Sequence, residues 1–179
     1  MTPVWERVGS VSIASSVSLA DTAFFDEDSV PVAVPLGRYD VEAQFELVEP
    51  PSEVARIVVA VRIVPSPSCV VFARGMYLGD VKVTFGQIGI CDHDAAEAVF
   101  AAWSDEARDR YYEEDLNANV EIGEVALAEG VSIVWFRPGL DVNEVYALVD
   151  PSGRLCGVEL LSLAWDDSRT GRAERGVDE

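Results

Sequence analysis

The sequence predicts a mainly β protein, a β-sandwich or partly open barrel of about nine to eleven antiparallel strands with a helical insert at about 94–114. Three observations predict it. Residues 38–47 alternate strictly, with Tyr39, Val41, Ala43, Phe45 and Leu47 between Arg38, Asp40, Glu42, Gln44 and Glu46. A pattern of glycine, strand, tight turn and strand occurs three times. One block between these strands changes to a helical spacing of its apolar residues.

In chain order, the first such unit runs from Gly9-Ser-Val-Ser-Ile13 into Val17-Ser-Leu-Ala-Asp21. Val34-Pro-Leu-Gly37 then supplies a turn before the alternating strand, whose two faces follow from the two-residue period of extended chain. A second strand, 55–64, follows the break at Pro50-Pro51. Ala55, Ile57, Val59, Val61 and Ile63 are expected on one face, and Arg56, Val58, Ala60, Arg62 and Val64 on the other. The two strands are expected to pair as an antiparallel hairpin. Pro65 and Pro67 should end the second one, since proline donates no ladder hydrogen bond. Gly79-Asp-Val-Lys-Val83 into Ile88-Gly-Ile-Cys-Asp92 is the second unit, again closed by aspartate, and Gly123-Glu-Val-Ala-Leu127 into Val131-Ser-Ile133 is the third. All three read as hairpins stacked in one sheet system. A last hairpin joins 145–149 to 155–163 through Asp150-Pro-Ser-Gly153, with proline and glycine where a turn needs them.

The helical block places Ala95, Ala96, Ala98, Val99, Phe100, Ala102, Trp103, Ala107 and Tyr111 on or near one face. Asp92 or Asp94 can cap its start and Ser104 can cap a second helix, because a short polar side chain accepts from the free amides of a first turn. One bent helix or two short ones are expected. Residues 1–165 thus read as a single β-rich domain, and 166–179 as a polar, aperiodic tail expected to be disordered.

The run Val34-Pro-Leu-Gly-Arg-Tyr-Asp-Val41, with the strand Ala55-Arg-Ile-Val-Val-Ala-Val-Arg62, resembles a bacterial family of uncharacterised β-rich proteins that carry V-P-x-G-x-Y-x-V followed by an A-R-[VI]-A strand. Residues 79–92 are similar to that family's G-x-V-x-V-D-x-G unit, with Thr84 where the family has aspartate. Together the matches cover about half the chain. The resemblance implies the β fold and supplies no reaction, because the family is a domain of unknown function.

Charge narrows the function classes. Thirty-two acidic residues against thirteen basic ones give −19. Nucleic-acid binding is driven by release of counterions from phosphates to a Lys/Arg surface, and this chain has the opposite sign. An anionic membrane repels it too. Its electrostatic partner is a cation or a basic protein. The longest apolar stretch, 57–64, is far too short to span a bilayer. Cys69, Cys91 and Cys156 have no CxxC spacing. They are expected as small core residues of a cytoplasmic protein rather than as metal ligands or a disulfide framework.

No phosphate-binding glycine loop, GxSxG or HExxH occurs, so no catalytic residue, metal ligand or cofactor is assigned. His93, the only histidine, lies in Cys91-Asp-His-Asp94. A metal-assisted hydrolase would need His93 with Asp92 and Asp94, joined by Asp21 from the related unit, and the plainer expectation is a strand end and helix cap. Trp135-Phe136-Arg137 is the best lining for a small-ligand or carbohydrate-binding sandwich. The densest feature is the insert, where acids crowd around Trp103, Tyr111 and Tyr112. The leading expectation is a non-catalytic protein-interaction module, of the immunity-inhibitor type, that holds a basic protein. Its candidate surface is Asp94, Glu97, Asp105, Glu106, Asp109, Tyr112, Glu113, Glu114 and Asp115.

Overall fold

The computed structural model describes residues 4–22, 29–47, 56–67, 71–84, 86–115, 120–138 and 142–162. The Pro50–Glu53 turn, Cys69 and the 166–179 tail lie outside the described residues. Eleven strands form two antiparallel sheets packed as a β-sandwich. The strands are β1 (Trp5–Ile13), β2 (Val17–Asp21), β3 (Val30–Val32), β4 (Gly37–Leu47), β5 (Arg56–Pro65), β6 (Ala73–Lys82), β7 (Ile88–Asp92), β8 (Ile122–Ala128), β9 (Val131–Phe136), β10 (Val142–Val149) and β11 (Leu155–Ser162). The larger sheet has the order β1-β4-β5-β11-β10-β6 and the smaller one β3-β2-β7-β9-β8.

The main core lies between them. Val11, Ile13, Tyr39, Val41, Ala43, Val61 and Ile63 of the large sheet meet Val17, Leu19, Ile88, Ile90, Val134 and Phe136 of the small one. The alternation in β4 holds: Tyr39, Val41 and Ala43 are buried against this core. The simple two-face assignment of β5 does not hold. Phe45 pairs with Val58 and Gln44 with Ala60, so Val59 is an extra residue in β5. A bulge reverses the phase of a strand. Val58 therefore joins Val61 and Ile63 in the main core, although it was expected on the opposite face.

The first two repeated units are not hairpins. β1 belongs to the large sheet and β2 to the small one, and β6 and β7 divide the same way. Each unit is an arch that crosses from one sheet to the other, so Val11 and Ile13 face Val17 and Leu19 across the core instead of pairing with them. Only the third unit, β8–β9, is a hairpin within one sheet. The two arches meet where β2 and β7 pair antiparallel, Val17 opposite Asp92 and Asp21 opposite Ile88. Each closing aspartate then serves the other arch. Asp92 accepts from the amides of Ala14 and Ser15 in the β1–β2 turn, and Asp21 accepts from the amide of Thr84 in the β6–β7 turn at 2.6 Å. The repeat is thus a reciprocal pair with approximate two-fold symmetry.

The β10–β11 hairpin turns at the expected Asp150–Gly153 segment. The Ser152 hydroxyl, with the Arg154 and Ser152 amides, holds the Asp150 carboxyl down at about 2. Gly153 takes a positive φ of 82° there, a conformation that suits glycine.

Candidate functional site

The insert follows β7 as two helices, α1 (His93–Ala102) and α2 (Asp105–Arg110), and a π-helical turn at Tyr111–Asp115. Both expected caps form. The Asp92 carboxylate accepts from the Ala95 amide at 3.0 Å and the Ser104 hydroxyl from the Ala107 amide at 3.3 Å. The Arg108 guanidinium donates to the Phe100 carbonyl at 2.9 Å and fixes the bend between the helices.

Apolar residues of the insert cover the outer face of the small sheet. Ala96 and Tyr111 are buried with Ala20, Cys91, Leu127, Ile133 and Trp135, and Val99, Phe100 and Trp103 pack against this cluster. Tyr111 sits 5.5 Å from Phe100 and 5.2 Å from Trp103, ring centre to ring centre. Trp135 lies over Gly123, where any Cβ would come within 2.9 Å of the indole. The expected helical face is narrower than its nine residues, since Ala98 and Ala102 are exposed.

The acidic residues lie on the opposite side. Asp94, Glu97, Asp105, Glu106, Asp109 and Glu113 are all exposed, and Tyr112 is 38% exposed beside them. Glu114 and Asp115 complete the π-turn, with their side chains outside the described residues. Glu106, Asp109, Arg110 and Glu113 line an open depression of about 480 Å³ together with Ser104 and Ala107. Residues 92–115 hold nine carboxylates against Arg108 and Arg110. Of the three aromatic residues read as possible anchors, Tyr111 is buried and Trp103 half-buried in the packing beneath. Tyr112 alone stands on the acidic surface.

The carboxylate that positions this insert is Asp92. It is 6% exposed. Oδ2 accepts from the Ala14 and Ser15 amides at 2.7 and 2.8 Å, and Oδ1 accepts from the Ser15 hydroxyl at 3.1 Å as well as from Ala95. The His93 amide donates to the Ser16 carbonyl at 2.8 Å beside it. Burial pushes the Asp92 carboxyl up, but the hydrogen bonds from Ala95, Ala14 and Ser15 outweigh it and hold the group below the ordinary carboxylate value. The cap formed by Asp92 is legible locally; its role across the two arches is not, because Ala14 and Ser15 lie 78 and 77 residues away.

The described residues do not assemble the other candidate chemistries. Among the described residues no three His, Cys, Asp or Glu side chains converge on one point. Asp92, the first neighbour of His93, spends its oxygens on backbone and Ser15 donors. Cys91 is fully buried, and burial pushes its thiol far up, away from the thiolate a nucleophile needs. Trp135 and Phe136 are buried in the two cores rather than lining an opening. No described helix is long and apolar enough to cross a membrane.

Neither a family model, nor a curated protein, nor a solved structure matches this chain.

Proposed function

We propose that the chain is a non-catalytic protein-interaction module whose acidic insert holds a basic protein, in the manner of an immunity-type inhibitor acting in a reducing cytoplasm. The observation that carries this reading is the division of the insert into two faces. Its aromatic underside is fixed to the small sheet, so Asp94, Glu97, Asp105, Glu106, Asp109 and Glu113 are all left exposed, with Glu106, Asp109 and Glu113 lining one depression. A preorganised array of like charge raises the encounter rate with an oppositely charged partner and rejects anionic ones. Tyr112 supplies an amphipathic ring within that array, the kind of side chain that anchors interfaces. A surface of this sign is unsuited to nucleic acid or anionic lipid.

The test is capture of partners from native lysate on the immobilised chain, followed by binding kinetics with the basic protein recovered. The triple variant Glu106→Lys, Asp109→Lys, Glu113→Lys should slow association about tenfold or more at low salt, and added salt should slow the parent chain towards the same rate. An association rate indifferent to both charge reversal and salt would overturn the reading.

A further inference from the structure

We propose that the outer face of the six-stranded sheet is where two copies of this chain meet, packed face to face about a two-fold axis running along the strands between β5 and β11. The insert covers the outer face of the small sheet, whereas the large sheet turns its second face outward except at one end, where Val64, Leu148 and Cys156 are buried with Phe72 packed against them. Two rows of side chains cross all six strands there in register. One row is Arg7, Glu42, Arg62, Glu159, Tyr146 and Tyr77. The next is Trp5, Gln44, Ala60, Leu161, Glu144 and Asp80.

The first argument is charge. Two molecules of −19 repel at any surface that carries its share of that charge. On this face three ion pairs offset part of it: Arg7 pairs with Asp40, Arg62 with Glu42 and Arg74 with Glu159. The second argument is self-complementarity. The proposed axis sets β5 over β11, β4 over β10 and β1 over β6 of the second copy. In the first row, Arg62 then faces Glu159, Glu42 faces the hydroxyl-bearing Tyr146, and Arg7 faces the ring of Tyr77. In the second row, Ala60 faces Leu161 at the centre, Gln44 faces Glu144, and Trp5 faces Asp80. No like charges oppose each other in either row. Isologous contacts of this kind require a surface that complements itself.

Area and composition fit a weak contact. Six strands about 4.8 Å apart, each some eight residues or longer, span on the order of 700 Å² per copy; with the end at Val64, Leu148 and Cys156 already buried, the contact falls below the roughly 800 Å² per partner of a standard interface, in the range of weak, reversible association. The β6 border adds Met76 and Tyr77, which are 71% and 50% exposed. Tyr77 packs edge-on to Tyr146 at 5.7 Å, and Arg74 lies over the Tyr146 ring at 5.3 Å. Pairing through strand edges is disfavoured instead, because β1, β6 and β8 are bulged and β3 is three residues long and contains Pro31.

Sedimentation equilibrium of the full chain over a wide concentration range tests the proposal. The expected result is a monomer–dimer equilibrium that strengthens as salt is raised, since salt screens the repulsion between the two −19 bodies. This is the opposite of the salt response expected for the acidic insert with a basic partner. Leu161→Arg, which places a charge against Ala60 of the second copy, should raise the dimer dissociation constant about tenfold or more. Tyr77→Arg, at a half-exposed site and set against Arg7, should weaken it in the same direction without disturbing the fold. A chain monomeric at every concentration and salt overturns the proposal, and so does a dimer indifferent to both substitutions.

Discussion

Replacing Asp92 by alanine removes one acceptor from four donors at once: the amides of Ala14, Ser15 and Ala95 and the hydroxyl of Ser15. A hydrogen bond to a charged group contributes about 1.5–3 kcal/mol, and buried donors left unpaired carry a further cost. Loss of a helix N-cap alone costs about 1 kcal/mol. Allowing for water at the part-buried bonds, Asp92→Ala should lower unfolding free energy by about 3–5 kcal/mol, a large share of a typical domain's total. Asp92→Asn keeps one carbonyl oxygen and should cost less, about 2 kcal/mol. Asp21→Ala, which withdraws the acceptor of the Thr84 amide from a buried site, should also destabilise the chain. Urea unfolding followed by tryptophan fluorescence measures all three.

The pH dependence supplies an independent check on the same residue. The folded Asp92 carboxyl lies below its ordinary value. Its contribution is therefore fully present above the unfolded pKa, about 3.9, and is lost as pH falls through the folded value. The stability gap between the parent chain and Asp92→Asn should be constant near neutrality and close in acid. An Asp92→Ala variant within about 0.5 kcal/mol of the parent at neutral pH, or a gap that does not move with acid, would refute the idea that this carboxylate ties the arches to the insert.

Two further outcomes follow from the packing. A Cβ at Gly157 would collide with the Ile63 carbonyl of the neighbouring strand, so Gly157→Ala should destabilise the large sheet by about 2–4 kcal/mol in thermal unfolding. Tyr111→Ala empties the fully buried ring site under the insert. It should cost about 3–4 kcal/mol and raise amide hydrogen exchange in α1 and α2 before the main core, because the insert's cluster is separate from the one between the sheets. Uniform exchange across the molecule would contradict that separation.

Structure is legible in the sequence where its cause is local. The β4 alternation, the Asp150–Gly153 turn, the caps at Asp92 and Ser104 and the break into helices at the insert all depend on residues within a few positions of one another. The β5 phase is not legible locally, because a bulge is created by the pairing of Phe45 with Val58 and nothing in β5 itself announces it. The acidity of the insert is legible as composition, because charge is a sum over residues. Which aromatic residue stands among its carboxylates is not legible, since Trp103, Tyr111 and Tyr112 have the same local chemistry and differ only in what lies beneath.

By itself the sequence determined the fold class, the place of the insert and the sign of the surface. Period, turn chemistry and charge are properties of short segments and of their sum. Only the tertiary structure decided that two of the three repeated units cross between sheets. A glycine-strand-turn-strand pattern buries its apolar residues equally well as a hairpin or as an arch. The choice between them rests on contacts made far along the chain: β1 with β4, β6 with β10, and the two aspartates each closing the other's turn.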